Sequence, residues 1–193
     1  MSELKNIEKT CFITGVTKAD ITKNCISCKP TTDPMESRCV MYENDKIKIV
    51  LRTDNQIWLG RCIIVPKEHV SPIQLYSTRT DLLLEVAKMI TLLNKVYKEL
   101  FNMSMANIAQ LGNLTENEKG EKTSIDDYFH SHFHYIPRYE NPVLKYSTLF
   151  VDPQWGKALN IDPKAGLPIL KPSDSLIDQI VIDIKNCIIK HLE

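Results

Sequence analysis

Three of the chain's five histidines, His130, His132 and His134, stand at alternate positions in the run Phe129-His130-Ser131-His132-Phe133-His134-Tyr135-Ile136-Pro137-Arg138. The aromatic and β-branched residues around them predict a strand. Along a strand, residues two apart share a face at roughly 6.5–7 Å. The three imidazoles would then form one row, with Ser131, Phe133 and Tyr135 turned the other way. Imidazoles so placed suit two kinds of chemistry. One is metal coordination, for which histidine is the commonest nitrogen donor. The other is covalent catalysis, in which one neutral imidazole attacks and a neighbour donates a hydrogen bond or a proton. Three ligands from one short strand would have to converge from separated positions, so a division of duties is easier. Core histidines satisfied by backbone are the plain alternative. That suits a lone histidine better than three in strict alternation.

A second chemistry-bearing group lies near the start, in Asn24-Cys25-Ile26-Ser27-Cys28-Lys29-Pro30. Two cysteines three apart, followed at once by proline and a polar stretch, read as a knuckle leading into a loop. The other four cysteines, Cys11, Cys39, Cys62 and Cys187, are scattered through apolar segments. That is the usage of buried, reduced thiols in a cytosolic protein.

The elements that must position these groups can be read from hydrophobic period. The clearest is a helix over 79–101, where Leu82, Val86, Met89, Ile90, Leu93, Val96, Tyr97 and Leu100 recur at three- and four-residue steps. Residues 38–43 and 46–52 read as two strands around a turn at Asn44-Asp45. Ile57 to Val65 reads as a third, broken by Gly60. Residues 105–111 form a strand ahead of the charged stretch 114–127, which reads as an exposed loop. Thr10–Ile13 suggests a further short strand. Residues 139–172, with five prolines and no long periodic run, read as an irregular surface-hugging segment. A last helix starts near Ser173 or Ser175 and runs to about Leu192. The order predicts an α+β fold: an antiparallel sheet with a long helix packed on one face, plus a C-terminal helix.

With 193 residues, 43% of them hydrophobic and 25% charged, the composition is that of an ordinary globular chain. The formal net charge is zero, so no global field points to nucleic acid or a membrane surface. The polar start predicts no signal peptide, and no apolar run is long enough to span a bilayer. A cytoplasmic location is expected.

The run His130-Ser131-His132-Phe133-His134-Tyr135-Ile136-Pro137-Arg138 resembles the signature of the histidine triad family, His-φ-His-φ-His-φ-φ with φ apolar. Three further stretches match in order: Gly60–His69, Asn107–Asn113, and Arg138–Glu140 with Phe150–Gly156, the last resembling the tail of a bacterial-type subgroup. The match spans about residues 25–156. It implies a nucleotide-binding domain over 1–156 and a C-terminal extension over 157–193, with a helix packed on the same domain.

The resemblance implies a nucleotide hydrolase or nucleotidyl transferase. Its bond of attack is at the α-phosphate of a dinucleoside polyphosphate or nucleoside phosphoramidate, through a covalent nucleotidyl-histidine. A nucleotide-binding regulatory protein with little turnover is the alternative. By the family pattern His132 is the nucleophile and His134 the phosphate donor. Asn107 or Asn113 helps to hold the phosphate, and Thr53 or Asp54 falls where an acidic residue would meet the ribose hydroxyls. A zinc-containing subset uses a cysteine pair, the histidine after the Pro-Lys strand and the first triad histidine. Here those are Cys25, Cys28, His69 and His130, implying a structural Zn2+. The family usually dimerises through the long helix and a strand, so a homodimer is expected.

Two departures stand out. Ser131 is polar where the family has an apolar residue. Arg61 replaces a common histidine, and either pairs with phosphate, pairs with a carboxylate, or lies on the strand surface.

Overall fold

The computed structural model describes Cys25, Cys28 and residues 34–111, 130–161 and 166–193. The strand expected over 10–13, the loop expected over 114–127, and Asn113 lie outside the described residues. Among the described residues eleven elements follow in order. They are α1 (Pro34–Cys39), β1 (Val40–Glu43), β2 (Ile47–Leu51), β3 (Cys62–Pro66), α2 (Pro72–Ser77), α3 (Thr80–Phe101), β4 (Met105–Ala109), β5 (Phe133–Arg138), β6 (Val143–Lys145), β7 (Thr148–Phe150) and α4 (Asp174–Leu192). The main sheet has the order β1-β2-β3-β5-β4, antiparallel at every pair. The fold is α+β, as expected.

Alternation in β2 buries Ile47, Ile49 and Leu51 and leaves Lys48 and Val50 on the opposite face. The turn that precedes it is fixed by Asn44, whose Oδ1 accepts from the backbone of Lys46 at 2.9 Å and Ile47 at 2.7 Å. The apolar stripe of α3 (Leu82, Val86, Met89, Leu93, Val96, Tyr97) packs on the face of the sheet that carries Ile49, Cys62, Ile64, Phe133 and Tyr135. Asn102 ends that helix in the left-handed region, φ 53°, a conformation asparagine tolerates.

Ser173 caps α4, its hydroxyl accepting from the Leu176 amide at 3.3 Å. Leu176, Ile177, Ile180, Val181, Ile184 and Ile188 on this helix join the same core as α3 and β1. At about 1.5–3 kcal/mol for each fully buried aliphatic side chain, α4 is an integral layer of the fold. Among the described residues no helix is long and apolar enough to cross a membrane.

The opposite face of the sheet has its own small core. Ile57, Trp58 and Ile136 are covered there by Leu159, Ile161, Leu167 and Leu170. The segment carrying those leucines is tied down by Asn55 and Gln56. The Gln56 amide donates to Leu170 O at 2.8 Å, and Asn55 Oδ1 accepts from the Leu170 amide at 3.0 Å.

The structure corrects several boundaries. Arg38 and Cys39 end a helix rather than begin a strand. Ile57–Gly60 is turn, not strand, because Gly60 at φ +83° bends the chain beneath the Tyr97 ring. Tyr97 Oη donates to Gly60 O at 2.6 Å, and a Cβ at residue 60 would overlap that ring. Gly60→Ala should therefore destabilise by about 2–4 kcal/mol, from positive φ plus overpacking, read as a shift in the urea midpoint; an unchanged midpoint would contradict this packing. Besides α1, two features had not been expected. One is α2, whose Ser71-Pro72-Ile73-Gln74 start forms a capping box. The other is the β6–β7 hairpin, turned at Tyr146 and Ser147, both with positive φ.

Candidate active site and metal cluster

The histidine run is less regular than the alternation predicts. Strand β5 begins only at Phe133, because the backbone of the two residues before His132 is engaged elsewhere. The Ser131 amide donates to Val70 O at 2.9 Å, and His130 O accepts from a ring rather than from a ladder partner. This break separates the three imidazoles into two groups.

His130 turns toward the cysteine pair. Its Nδ1 lies 3.4 Å from Cys25 Sγ and 3.2 Å from Cys28 Sγ, and His69 Nδ1 lies 3.2 Å from Cys28 Sγ. The four donor atoms are all within 4.8 Å of one another. Metal–donor bonds of about 2.0–2.3 Å place neighbouring corners of a tetrahedron roughly 3.3–3.8 Å apart, so these groups fit one metal ion. A further contact prepares the ring. His130 Nε2–H donates to Pro66 O at 2.6 Å, which leaves the lone pair on Nδ1, facing the sulfurs. Burial lowers the His130 pKa to about 4, so the ring is neutral at neutral pH, as a ligand must be. Burial, reinforced by Cys25, pushes the Cys28 thiol up to about 12; a bound cation would reverse that preference. Cys25, Cys28, His69 and His130 could thus hold a metal ion.

His132 and His134 remain as neighbours, with ring centres 5.0 Å apart, edge to face. His132 Nδ1 lies 3.1 Å from His130 O. A carbonyl can only accept, so Nδ1 carries the proton and Nε2 carries the lone pair. His134 is pushed down to about 4, first by burial and then by the charges of His132, Arg61 and Arg52. Its buried Nδ1 has no protein partner among the described residues.

Register shows which side chains share this face. Ile63 and Ala109 lie opposite His134 on the two flanking strands, and Asn107 lies opposite Ile136. Arg61, one residue before the Cys62–Tyr135 pair, extends the same row. It is 6% exposed, which excludes the strand-surface reading. Its guanidinium meets Asp54 Oδ2 at 3.4 Å and sits 5.8 Å from the Trp58 ring centre. Burial tends to raise the Asp54 pKa, but the hydrogen bond and charge of Arg52, with Arg61, bring it below the usual carboxylate value. The structure therefore brings Asp54 and Arg61 together beside His134.

Asn107 belongs to a network that sequence reasoning missed. Arg138 Nη1 donates to Asn107 Oδ1 at 3.0 Å, while its Nε meets Asp152 Oδ2 at 2.5 Å. Asp152 also accepts from Trp58 Nε1 at 3.2 Å and from the Gln154 amide at 2.9 Å. With its oxygen held by Arg138, the Asn107 amide group is the end left to face a ligand. The signal was present in Arg138 and Asp152, two opposite charges within stretches already matched to the family pattern. Trp155 is only half-buried, and Trp58 is the tryptophan that packs on this face.

Acid should weaken the fold through His134. Its folded-state pKa, about 4, lies below the ordinary 6.5, so between those values the unfolded chain binds more protons. The contribution is complete above about pH 6.5 and is lost as pH falls to about 4, amounting to roughly 2–3 kcal/mol. Urea midpoints across that window should fall with acid, and fall less in His134→Asn. Identical slopes would show that His134 titrates normally.

No protein-family model and no curated protein sequence matches the chain. Solved structures do. A histidine triad protein from Marinobacter aquaeolei VT8 superposes with TM-score 0.55 at 16% identity, over 82% of this chain and 96% of that one. A hypothetical histidine triad nucleotide-binding protein from Sulfolobus tokodaii gives 0.51 at 18% identity, over 79% and 84%. A histidine triad protein from Bradyrhizobium japonicum gives 0.50 at 16% identity, over 77% and 89%. Across most of its length, this chain carries the fold of the histidine triad proteins.

Proposed function

We propose that the chain is a nucleotide hydrolase or nucleotidyl transferase acting at the α-phosphate of a dinucleoside polyphosphate or nucleoside phosphoramidate. The observation that carries this reading is the fixed tautomer of His132, with Nδ1–H held by His130 O and Nε2 left as a nucleophile. Nε2 attacks the α-phosphorus, and the bond to the leaving group breaks as that group departs and takes up a proton. Water or an acceptor hydroxyl then attacks the nucleotidyl-His132, releasing Nε2. His134 donates to the phosphate oxygens, where charge builds up. Asn107 and Arg61 add donors, with Asp54 orienting the guanidinium; Asn113 keeps the phosphate-binding role the family pattern gives it.

Cys25, Cys28, His69 and His130 hold a structural Zn2+ in this reading, a closed set of two thiolates and two imidazoles. The metal supplies cross-linking of the N-terminal knuckle to the histidine run. Residues 1–156 act as the nucleotide-binding domain, and 157–193 as an extension packed on it. A cytoplasmic location belongs to the same proposal, resting on the reduced-thiol pattern of the sequence.

A homodimer through the edge of the sheet belongs to the same proposal. Among the described residues strand β4 has no neighbour on its outer side, and Met105 (49%) and Ile108 (38%) are exposed along it. A concavity of about 410 Å3 between β4 and the Asn94–Lys98 stretch of α3 runs beside them. Met105→Glu should convert a dimer into a monomer in light scattering. An unchanged mass would place any interface elsewhere.

The activity test is to incubate pure protein with diadenosine tetraphosphate and with a fluorogenic adenosine phosphoramidate, and to look for an acid-labile nucleotidyl-protein. Turnover with the trapped adduct supports the proposal. Tight nucleotide binding with no turnover would make the chain a regulatory binding protein instead.

A further inference from the structure

We infer that Glu99, Cys187 and His191 form a second metal site, for a zinc-like divalent cation, that fastens α4 to α3. The site is remote from the histidine run and independent of the proposed activity.

Cys187 and His191 are four apart on α4 and therefore share one helix face. Glu99, in the last turn of α3, reaches across to them. The three donor atoms lie within 4.8 Å of one another, and His191 Nε2 is 3.0 Å from Glu99 Oε2. Cys187 is buried, while Glu99 and His191 are exposed. The cation would be shielded on one side, with an open position for water on the other. A thiolate, an imidazole and a carboxylate select a borderline-soft ion over calcium or magnesium, which take oxygen ligands. The Cys187 proton leaves to solvent as the metal–sulfur bond forms. Both α3 and α4 end at this place, so the partial negative charge of two helix C-termini favours a cation there.

A simple surface ion pair is the competing account, because Lys190 Nζ lies 2.6 Å from Glu99 Oε1. That pair needs neither the buried thiol nor the imidazole. It also makes an opposite forecast, since Lys190 competes with a metal for Glu99.

The test titrates Zn2+ against a chromophoric chelator using the full chain and its variants. Glu99→Gln and His191→Ala replace exposed side chains and should keep the metal-free melting curve. Each should weaken one class of site at least about tenfold, while Cys28→Ser leaves that class intact. Lys190→Ala should tighten it several-fold. In Co2+-loaded protein, the thiolate charge-transfer band from this site should vanish in Cys187→Ser. Zinc uptake indifferent to Glu99→Gln and His191→Ala, or a Lys190→Ala variant with no gain in affinity, would overturn the inference.

Discussion

His132→Asn should lower kcat by at least about a thousandfold while leaving nucleotide affinity within a few-fold. The magnitude is that of removing a covalent nucleophile rather than a binding contact. Asparagine suits the test because its side-chain amide can still donate to His130 O, the bond that holds the native ring. What it lacks is the Nε2 lone pair. Of the other groups on the shared face, Asn107 stays held by Arg138 and Arg61 by Asp54, while His134 loses only its ring contact with His132. Single-turnover rates and nucleotide Kd for wild type and variant separate the two effects. His134→Ala should cost less, about 10²–10³ in kcat, because it removes one donor to the phosphate while the nucleophile remains. A variant as active as wild type would remove His132 from the chemistry.

Loss of the metal at Cys25, Cys28, His69 and His130 should lower Tm by roughly 8–16 °C. A ligand present at about a thousand times its Kd contributes about 4 kcal/mol, and each kcal/mol moves Tm by about 2–4 °C in a chain of this size. Two treatments should converge in a His191→Ala background, where the α3–α4 site is weakened: chelation, and Cys28→Ser without chelator. Cys28 is chosen because its sulfur is in contact with both His69 and His130. Buried Cys39 packs in the main core, outside this cluster, so Cys39→Ser should keep its response to chelator. If chelator leaves the melting curve of wild type unchanged, the cluster is not a structural metal site.

The parts of this fold that were legible in sequence are those where one physical signal acts alone. Helix α3 was readable because Leu82, Val86, Met89, Leu93 and Val96 repeat at helical spacing with charges between them, and β2 because Ile47, Ile49 and Leu51 alternate. The β6–β7 hairpin was hidden because its turn uses Tyr146 and Ser147 at positive φ, where a glycine or asparagine would have announced it. Strand β3 was drawn too long because Ile57, Trp58 and Leu59 look like strand residues. They are buried instead in a turn that only Gly60 permits.

The candidate site was legible in its side chains and illegible in its backbone. The grouping of Cys25, Cys28, His69 and His130 followed from the family pattern, and the structure brings their donor atoms together. The carbonyls of Pro66 and His130, which set the two tautomers, carry no residue signature. The same holds for the Val70 carbonyl, which draws Ser131 out of the ladder. Arg138 was visible as a residue, but its partner Asp152 lies across an intervening hairpin, beyond any local pattern.

His130 offers its ring to the metal cluster and its carbonyl to the ring of His132. Were a metal held there, the His132 ring would be tethered to it through His130, two residues back in the chain, by one hydrogen bond. It does not depend on the register of neighbouring strands, from which it has been released. The orientation of Nε2 is thus set at the end of the strand, by the backbone of a cluster residue, and not by a ladder partner of His132.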